Sequence, residues 1–215
     1  MNFSLRKPLE PPIYHPQVIL ASQSVGRKTL LEKLGIRFRV LATHIDEEQI
    51  IDKDPIKMLK RRAQAKAEEI VKHPNVYGIS QTTKTLVIAA DSMAILGTKT
   101  FGKAKDREDA KRILQSLMGK MHSFATAVSI ILLDQGKETQ RWEKEVTTKV
   151  TMRKLTQPEL DLYVARFDFS RFAAGYALNE TPWDLVTKID GSYTNVIGMP
   201  FEILLPILRK LEIII

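Results

Sequence analysis

With 215 residues, 44% of them hydrophobic, the chain is long enough to bury roughly 70% of its unfolded surface and so needs no covalent staple. The absence of cysteine excludes disulfides, thiolate nucleophiles and Cys-built zinc sites, and the four histidines (His15, His44, His73, His122) show no HExxH or paired-ligand spacing. A balance of 33 basic to 25 acidic residues, net +8, favours an anionic partner without choosing among nucleotide, nucleic acid and membrane surface. No apolar run approaches the roughly 20 residues that span a bilayer, and the start MNFSLRKPLEPPIYHP has no apolar signal core, so the chain is expected to be cytoplasmic.

Residues 1–16 carry four prolines and no periodicity, which predicts an extended arm ahead of a single domain over 17–215. Val18, Ile19, Leu20 and Ala21 then form a short apolar run ending in Ser22-Gln23-Ser24. Leu30, Leu31 and Leu34 follow at helical spacing and Gly35 stops the helix. Phe38 and Val40 alternate with Arg37 and Arg39 as a second strand would, and 43–54 is a polar, acidic connection. From Pro55 to about Lys72, Ile56, Leu59, Ala63, Ala67 and Ile70 keep one apolar stripe on a basic helix.

Residues 85–90 are a continuous apolar run, read as a buried strand that terminates at Asp91; 93–96, Gly97 and 99–101 suggest a hairpin. Asp106 and Asp109 cap a helix carrying Ala110, Ile113, Leu114 and Leu117, closed by Gly119. A strand over 124–133 turns at Asp134-Gln135-Gly136, and Trp142, Val146, Val150 and Met152 share a face of the return strand. Thr156-Gln157-Pro158-Glu159 is a capping box for another helix, and Pro200 can open the last. Strands interleaved with helices make the class α/β.

Four constellations could carry chemistry. In LASQSVGR, residues 20–27, two hydroxyls and an arginine sit where a strand turns into a helix N-terminus, a place whose free N–H groups and dipole attract anions. The alternative is that Ser24 only caps the helix and Arg27 is solvated. Asp91, at the carboxyl end of an apolar strand, needs a cation or a water to justify burial, unless it merely forms a turn. Residues 97–104 satisfy all but the last letter of the phosphate-loop pattern G-x-x-x-x-G-K-[ST]. Ala104 lacks the hydroxyl that magnesium requires, however, and the next helix is capped only at Asp106. On the basic helix, Lys60 and Lys66 flank opposite edges of the apolar stripe. Either could snorkel toward a cleft, or both could belong to a solvated face with Arg61 and Arg62.

Taken in order, LASQSVGRKTLLEKLGIRF, IDEE at 45–48, RRAQAKAEE, VIAADSMAIL, FGKAKDREDAKRILQSLMGKMHSF, AAGYALNE and IDGSYTNVIGMP resemble the Maf family of nucleotide pyrophosphatases, from Gln17 to the end. The resemblance implies a Maf/ITPase-like fold, with a mixed sheet, helices on both sides and two lobes flanking a nucleotide-binding cleft, as a homodimer. It further implies hydrolysis of a nucleoside triphosphate to the monophosphate and pyrophosphate with Mg2+ or Mn2+. Asp91 matches the family's general base and a possible metal ligand, Glu47 its acidic residue associated with metal or water, and Ser22, Arg27, Lys66 and Lys103 its phosphate-contacting positions.

The chain departs from the pattern in three places. The family commonly reads S-P-R-R at Ser24-Val25-Gly26-Arg27, G-K-P at Gly102-Lys103-Ala104 and Y-G-I-Q-G at Tyr176-Ala177-Leu178-Asn179-Glu180. Gly26, Ser92 and Asn179 fall at positions the family uses to select the base, and Asp-Ser with Ala-Gly-Tyr points to the dTTP and UTP branch. The rival readings are a phosphate-loop NTPase or kinase and a non-enzymatic nucleic-acid-binding module. The second is disfavoured by little aromatic interleaving among the basic residues.

Overall fold

A computed structural model describes residues 15–168, 172–178 and 184–215. Residues 1–14 of the expected arm and Asn179 lie outside that set.

β1 (Gln17–Leu20) leads through a polar turn into α1 (Val25–Lys33). β2 (Phe38–Val40), a 3₁₀ turn at Glu47–Gln49 and the long α2 (Pro55–Lys72) follow. Next come β3 (Thr85–Leu96), β4 (Lys99–Phe101), α3 (Arg107–Leu117) and the paired β5 (Met121–Asp134) and β6 (Lys137–Met152). The chain ends with α4 (Gln157–Arg166), β7 (Val186–Asp190), α5 (Tyr193–Ile197) and α6 (Phe201–Lys210).

The predicted local signals operate. Asp54 accepts from Ile56 and Lys57 at the start of α2, Asp106 accepts from Asp109 at the start of α3, and Thr156 with Glu159 closes a reciprocal capping box on α4. The β5–β6 hairpin turns at Gln135 and Gly136, both with positive φ (49° and 73°), the backbone that matches strand twist in a tight hairpin.

The strands form one mixed sheet in the order β2-β1-β3-β5-β6-β7, with β4 also on β3. β1 runs parallel to β2 and β3; the other pairings are antiparallel. α2 covers one face, where Ala67 and Ile70 meet Val87, Ala89 and Ile131, and Leu59 and Ala63 meet Met93 and Ala125. α1 and α6 cover the other, with Leu30, Leu31, Leu204 and Leu208 against Leu20, Ile88 and Ile130. A further core gathers α3, α4 and the distal parts of β5 and β6 around Leu114, Phe124, Val150 and Leu160.

One expectation is corrected. The apolar strand does not terminate at Asp91 but continues unbroken to Leu96. The reason is pairing: β5 follows β3 from Thr85 to Ile95 along one edge, holding the backbone extended past the acidic residue. What ends near Asp91 is the neighbour on the opposite edge, since β1 pairs with β3 only as far as Ile88.

His122 on β5 is buried at 3% exposure, with its Nε2 2.9 Å from the Tyr176 hydroxyl. Burial pulls its imidazole down to about 4. Unfolded, the ring takes up its proton near 6.5, so the stability linked to it is complete above that pH and is lost as pH falls towards 4. His122→Gln is expected to keep a partner for Tyr176 and to reduce the loss of unfolding free energy between neutral pH and pH near 4 by up to about 3 kcal/mol, read by urea denaturation at each pH.

Candidate active site

Along the edge of β3 opposite β5, β1 leaves after Ile88, whose carbonyl accepts from Ala21 at 2.8 Å, and β4 begins pairing only at Ala94. Residues 89–93 therefore have one edge with no strand beside it. Successive side chains on a strand point to opposite faces, so Asp91 faces α2 while Ser92 faces α1 and α5. The site is built around this gap.

On the α2 side, Lys66 is 6% exposed and its Nζ lies 3.0 Å from Asp91 Oδ1 and 3.4 Å from the Ala90 carbonyl on the unpaired edge. Glu47, from the 3₁₀ turn, pairs with the same ammonium. Arg62, one turn earlier on α2, brings Nη1 to 4.0 Å from Asp91 Oδ2. Buried charges demand partners, and here each carboxylate and each cation finds one. Lys60, by contrast, pairs with Glu145 on β6 at 2.7 Å. The choice that helical spacing leaves open thus falls on Lys66, the lysine the Maf resemblance favours.

On the other face, Arg27 is 7% exposed and donates from Nε to the Gly198 carbonyl, from Nη1 to Ser22 Oγ and from Nη2 to Ser92 Oγ, at 2.8, 2.9 and 2.8 Å. A guanidinium carries five N–H donors, so one remains on each terminal nitrogen, the fork that grips a phosphate bidentately. Burial pulls the Arg27 guanidinium below its ordinary value, opposed by the Asp91 and Glu47 carboxylates. Ser24 does cap α1, accepting from Arg27 N at 3.4 Å, but Arg27 is not solvated. Gly198, at φ 104°, ends α5 where a Cβ would lie 3.3 Å from both Arg27 Nε and Ser92 Oγ.

These groups line a cavity of about 480 Å³, with Arg27, Arg62, Lys66 and Lys103 as its cations and Glu47, Glu48 and Asp91 as its carboxylates. Its size suits a small-molecule ligand rather than a polymer groove. Lys103 is exposed, reaches it from the segment after β4 and is bridged to Ala173. A narrower cavity of about 40 Å³ adjoins it, sharing Ser24, Arg27, Ser92 and Ala173 and walled by Phe124, Phe172 and Tyr176.

Residues 97–104 form the β3–β4 hairpin and its exit, and α3 starts later, behind Asp106. That geometry is not a phosphate loop, which runs directly into its helix at the lysine.

A family model for Maf-like protein matches residues 17–211. The chain belongs to that family. Among its relatives, the dTTP/UTP pyrophosphatase of Agathobacter rectalis is 35% identical over 202 residues, covering 92% of this chain and 98% of its own. The nucleoside triphosphate pyrophosphatase of a Synechococcus species is 32% identical over 196 residues, covering 91% of this chain and 92% of its own. Among solved structures, a HAM1 protein from Coxiella burnetii aligns over 91% of this chain and 99% of its own, at 14% identity and a TM-score of 0.42.

Of the residues expected from the Maf resemblance, Ser22, Arg27, Glu47, Lys66, Asp91, Ser92 and Lys103 line one cavity. The sequence places Arg62 on a basic face without a role, and gives none to Thr126, Asn195, Gly198, Phe124 or Phe172. Thr126 left a weak signal: with Ser129 it is one of two hydroxyls in the apolar stretch of β5, and both are fully buried. The two carboxylates Glu47 and Asp91 offer hard oxygen donors from two elements converging on one point. This suits Mg2+ or Mn2+, which are held by one or two carboxylates together with substrate phosphate and water. Among the described residues no group of three His, Cys, Asp or Glu gathers as a full protein cage.

Gly26 packs against α5, where an added Cβ would sit 2.8 Å from the Ile197 carbonyl oxygen. In an open helix Gly→Ala stabilises by about 1 kcal/mol. Here Gly26→Ala is expected to lower the melting temperature instead, because a backbone oxygen has to move. A stabilised Gly26→Ala protein in a thermal melt would show that α5 is not seated on α1.

Proposed function

We propose that this Maf-like chain hydrolyses a nucleoside triphosphate to the monophosphate and pyrophosphate. The observation that carries the reading is the cluster at the gap in β3, where Lys66, Asp91 and Glu47 on one face stand beside Arg27 and Ser92 on the other, in one cavity. The pyrophosphatase names of the relatives above support it. The preferred bases are those of dTTP and UTP, the enzyme works in the cytoplasm, and it does so as a homodimer.

The arrangement divides the chemical work. Arg27, with two N–H donors left, and Ser22 bind the phosphates at the start of α1, where the helix dipole adds to the attraction. Lys66, Arg62 and Lys103 neutralise charge that develops on the phosphate oxygens as the bridge between the α and β phosphates breaks. Asp91 Oδ1 is held by Lys66, leaving Oδ2 to take the proton of the attacking water. The water oxygen bonds to phosphorus and the electron pair of the broken bond leaves on pyrophosphate. Glu47 and Asp91 would hold a divalent cation, which when bound supplies further charge neutralisation on the triphosphate. Lys66 also fixes the direction of Asp91, since its ammonium ties that carboxylate to the Ala90 carbonyl.

The purified protein, given a panel of nucleoside triphosphates with Mg2+ or Mn2+, is expected to release pyrophosphate and monophosphate. Release of inorganic phosphate alone, or no turnover across the panel, overturns the assignment. Asp91→Asn keeps shape but removes the carboxylate, and is expected to cut kcat at least about a hundredfold, the lower end for a positioned base, with the protein still folded. Lys66→Ala is expected to impair turnover far more than Lys60→Ala. Equal losses from the two lysine variants would mean that α2 contributes a diffuse positive field, not a placed cation.

A further inference from the structure

From Arg27 and Ser92 a chain of buried polar contacts runs on to Thr126 and Asn195, two residues the hydrolytic chemistry leaves unused. Arg27 Nη2 is 2.8 Å from Ser92 Oγ, Ser92 Oγ is 2.9 Å from Thr126 Oγ1, and Thr126 Oγ1 is 3.1 Å from the Asn195 carbonyl oxygen. Ser92 and Thr126 are cross-strand partners of β3 and β5, and Thr126 and Asn195 are wholly inaccessible to solvent. Asn195 is fastened in turn: its Nδ2 donates to the Phe124 carbonyl and to Thr148 Oγ1, both at 3.0 Å.

Only one set of hydroxyl orientations makes all three contacts hydrogen bonds. Arginine can only donate, so Ser92 accepts from Arg27. A carbonyl can only accept, so the single proton of Thr126 goes to Asn195. The remaining contact requires Ser92 to donate to Thr126. The Ser92 proton is thus directed into the protein, and towards the cavity Ser92 presents a lone pair and no donor.

We infer that Thr126 is a positioning residue for base selection. By accepting the Ser92 proton it makes Ser92 a pure acceptor at the wall of the narrow cavity, whose Phe124, Phe172 and Tyr176 supply the aromatic surfaces a base packs against. Such an acceptor recognises a base that offers a ring N–H, as uracil and thymine do at N3. It opposes cytosine, whose N3 is itself a lone pair of the same size and place. A polar site built with one hydrogen-bond sense rejects the opposite sense because two acceptors are then buried face to face. The inference rests on the hydrolase reading above and concerns which triphosphate the same cavity takes.

The experiment compares kcat/KM for UTP and CTP, which differ at this edge but not in size, in the wild type, Thr126→Val and Thr126→Ser. Val keeps the shape of Thr126 and removes its oxygen, freeing the Ser92 proton to turn outward. The expected result is a UTP-over-CTP ratio that falls at least about tenfold in Thr126→Val and stays within about threefold of wild type in Thr126→Ser. Thr126→Ala gives the same comparison should the valine fail to fold. An unchanged ratio in a folded, active Thr126→Val or Thr126→Ala, or equal losses on both substrates, overturns the inference and leaves the hydrolase reading standing. Absence of turnover of any triphosphate by the wild type overturns both.

Discussion

The site depends on one constraint, the unequal pairing of the two edges of β3. β5 follows it from Thr85 to Ile95, whereas on the other edge β1 stops at Ile88 and β4 starts at Ala94. A strand gap in the middle of a sheet exposes backbone groups that are costly to leave unsatisfied in a buried setting. Lys66 reaches the Ala90 carbonyl there, and its charge then draws in Asp91 and Glu47. A polar cluster forms where the sheet would otherwise be apolar, and the alternation of the strand divides it into an Asp91 face and a Ser92 face.

That division organises the chemistry. The face towards α2 holds the ion pairs, which suit binding and neutralising phosphate and moving a proton. The face towards α1 and α5 holds directed hydrogen bonds, Arg27 to Ser92 to Thr126 to Asn195, which suit discrimination. Arg27 belongs to both, since it lines the larger cavity while three of its donors tie it to Ser22, Ser92 and Gly198. Gly26 lets the start of α1 approach Ile197, bringing Arg27 within reach of the α5 terminus. The cations of the cavity are placed singly, whereas Lys60 and Arg141 are held elsewhere by Glu145 and by Glu68, Glu138 and Glu143.

Much of this was legible in the sequence, because its strongest signals are local. The caps at Asp54, Asp106 and Thr156, the stripe on α2 and the Gln135-Gly136 turn each act through a few neighbouring residues, and the helices and hairpin they mark all formed. The family motifs also identified the residues that meet in the cavity. The error at Asp91 came from the same local habit: an acidic residue after an apolar run reads as a strand end, while the pairing that carries β3 on to Leu96 comes from β5, more than thirty residues away in sequence for Asp91 and Ala127. β7 and α5 were missed because both are short: β7 is held by its pairing with β6, and α5, although capped by Ser192 and ended by Gly198, has only five residues and no periodicity to read.

The amino-acid sequence by itself determined the α/β class, the order and caps of the main helices, and the presence of Ser22, Arg27, Glu47, Lys66, Asp91, Ser92 and Lys103 as a set. Periodicity and capping are properties of neighbours along the chain, so they can be read without the fold. Helical periodicity left Lys60 and Lys66 equivalent and the family motif favoured Lys66; the tertiary structure supplied the reason, since Glu145 and Asp91 across the sheet hold the two lysines apart. The tertiary structure alone decided the direction of the hydrogen bonds through Thr126, since that direction is imposed by an arginine and a carbonyl drawn from opposite ends of the chain, Arg27 and Asn195.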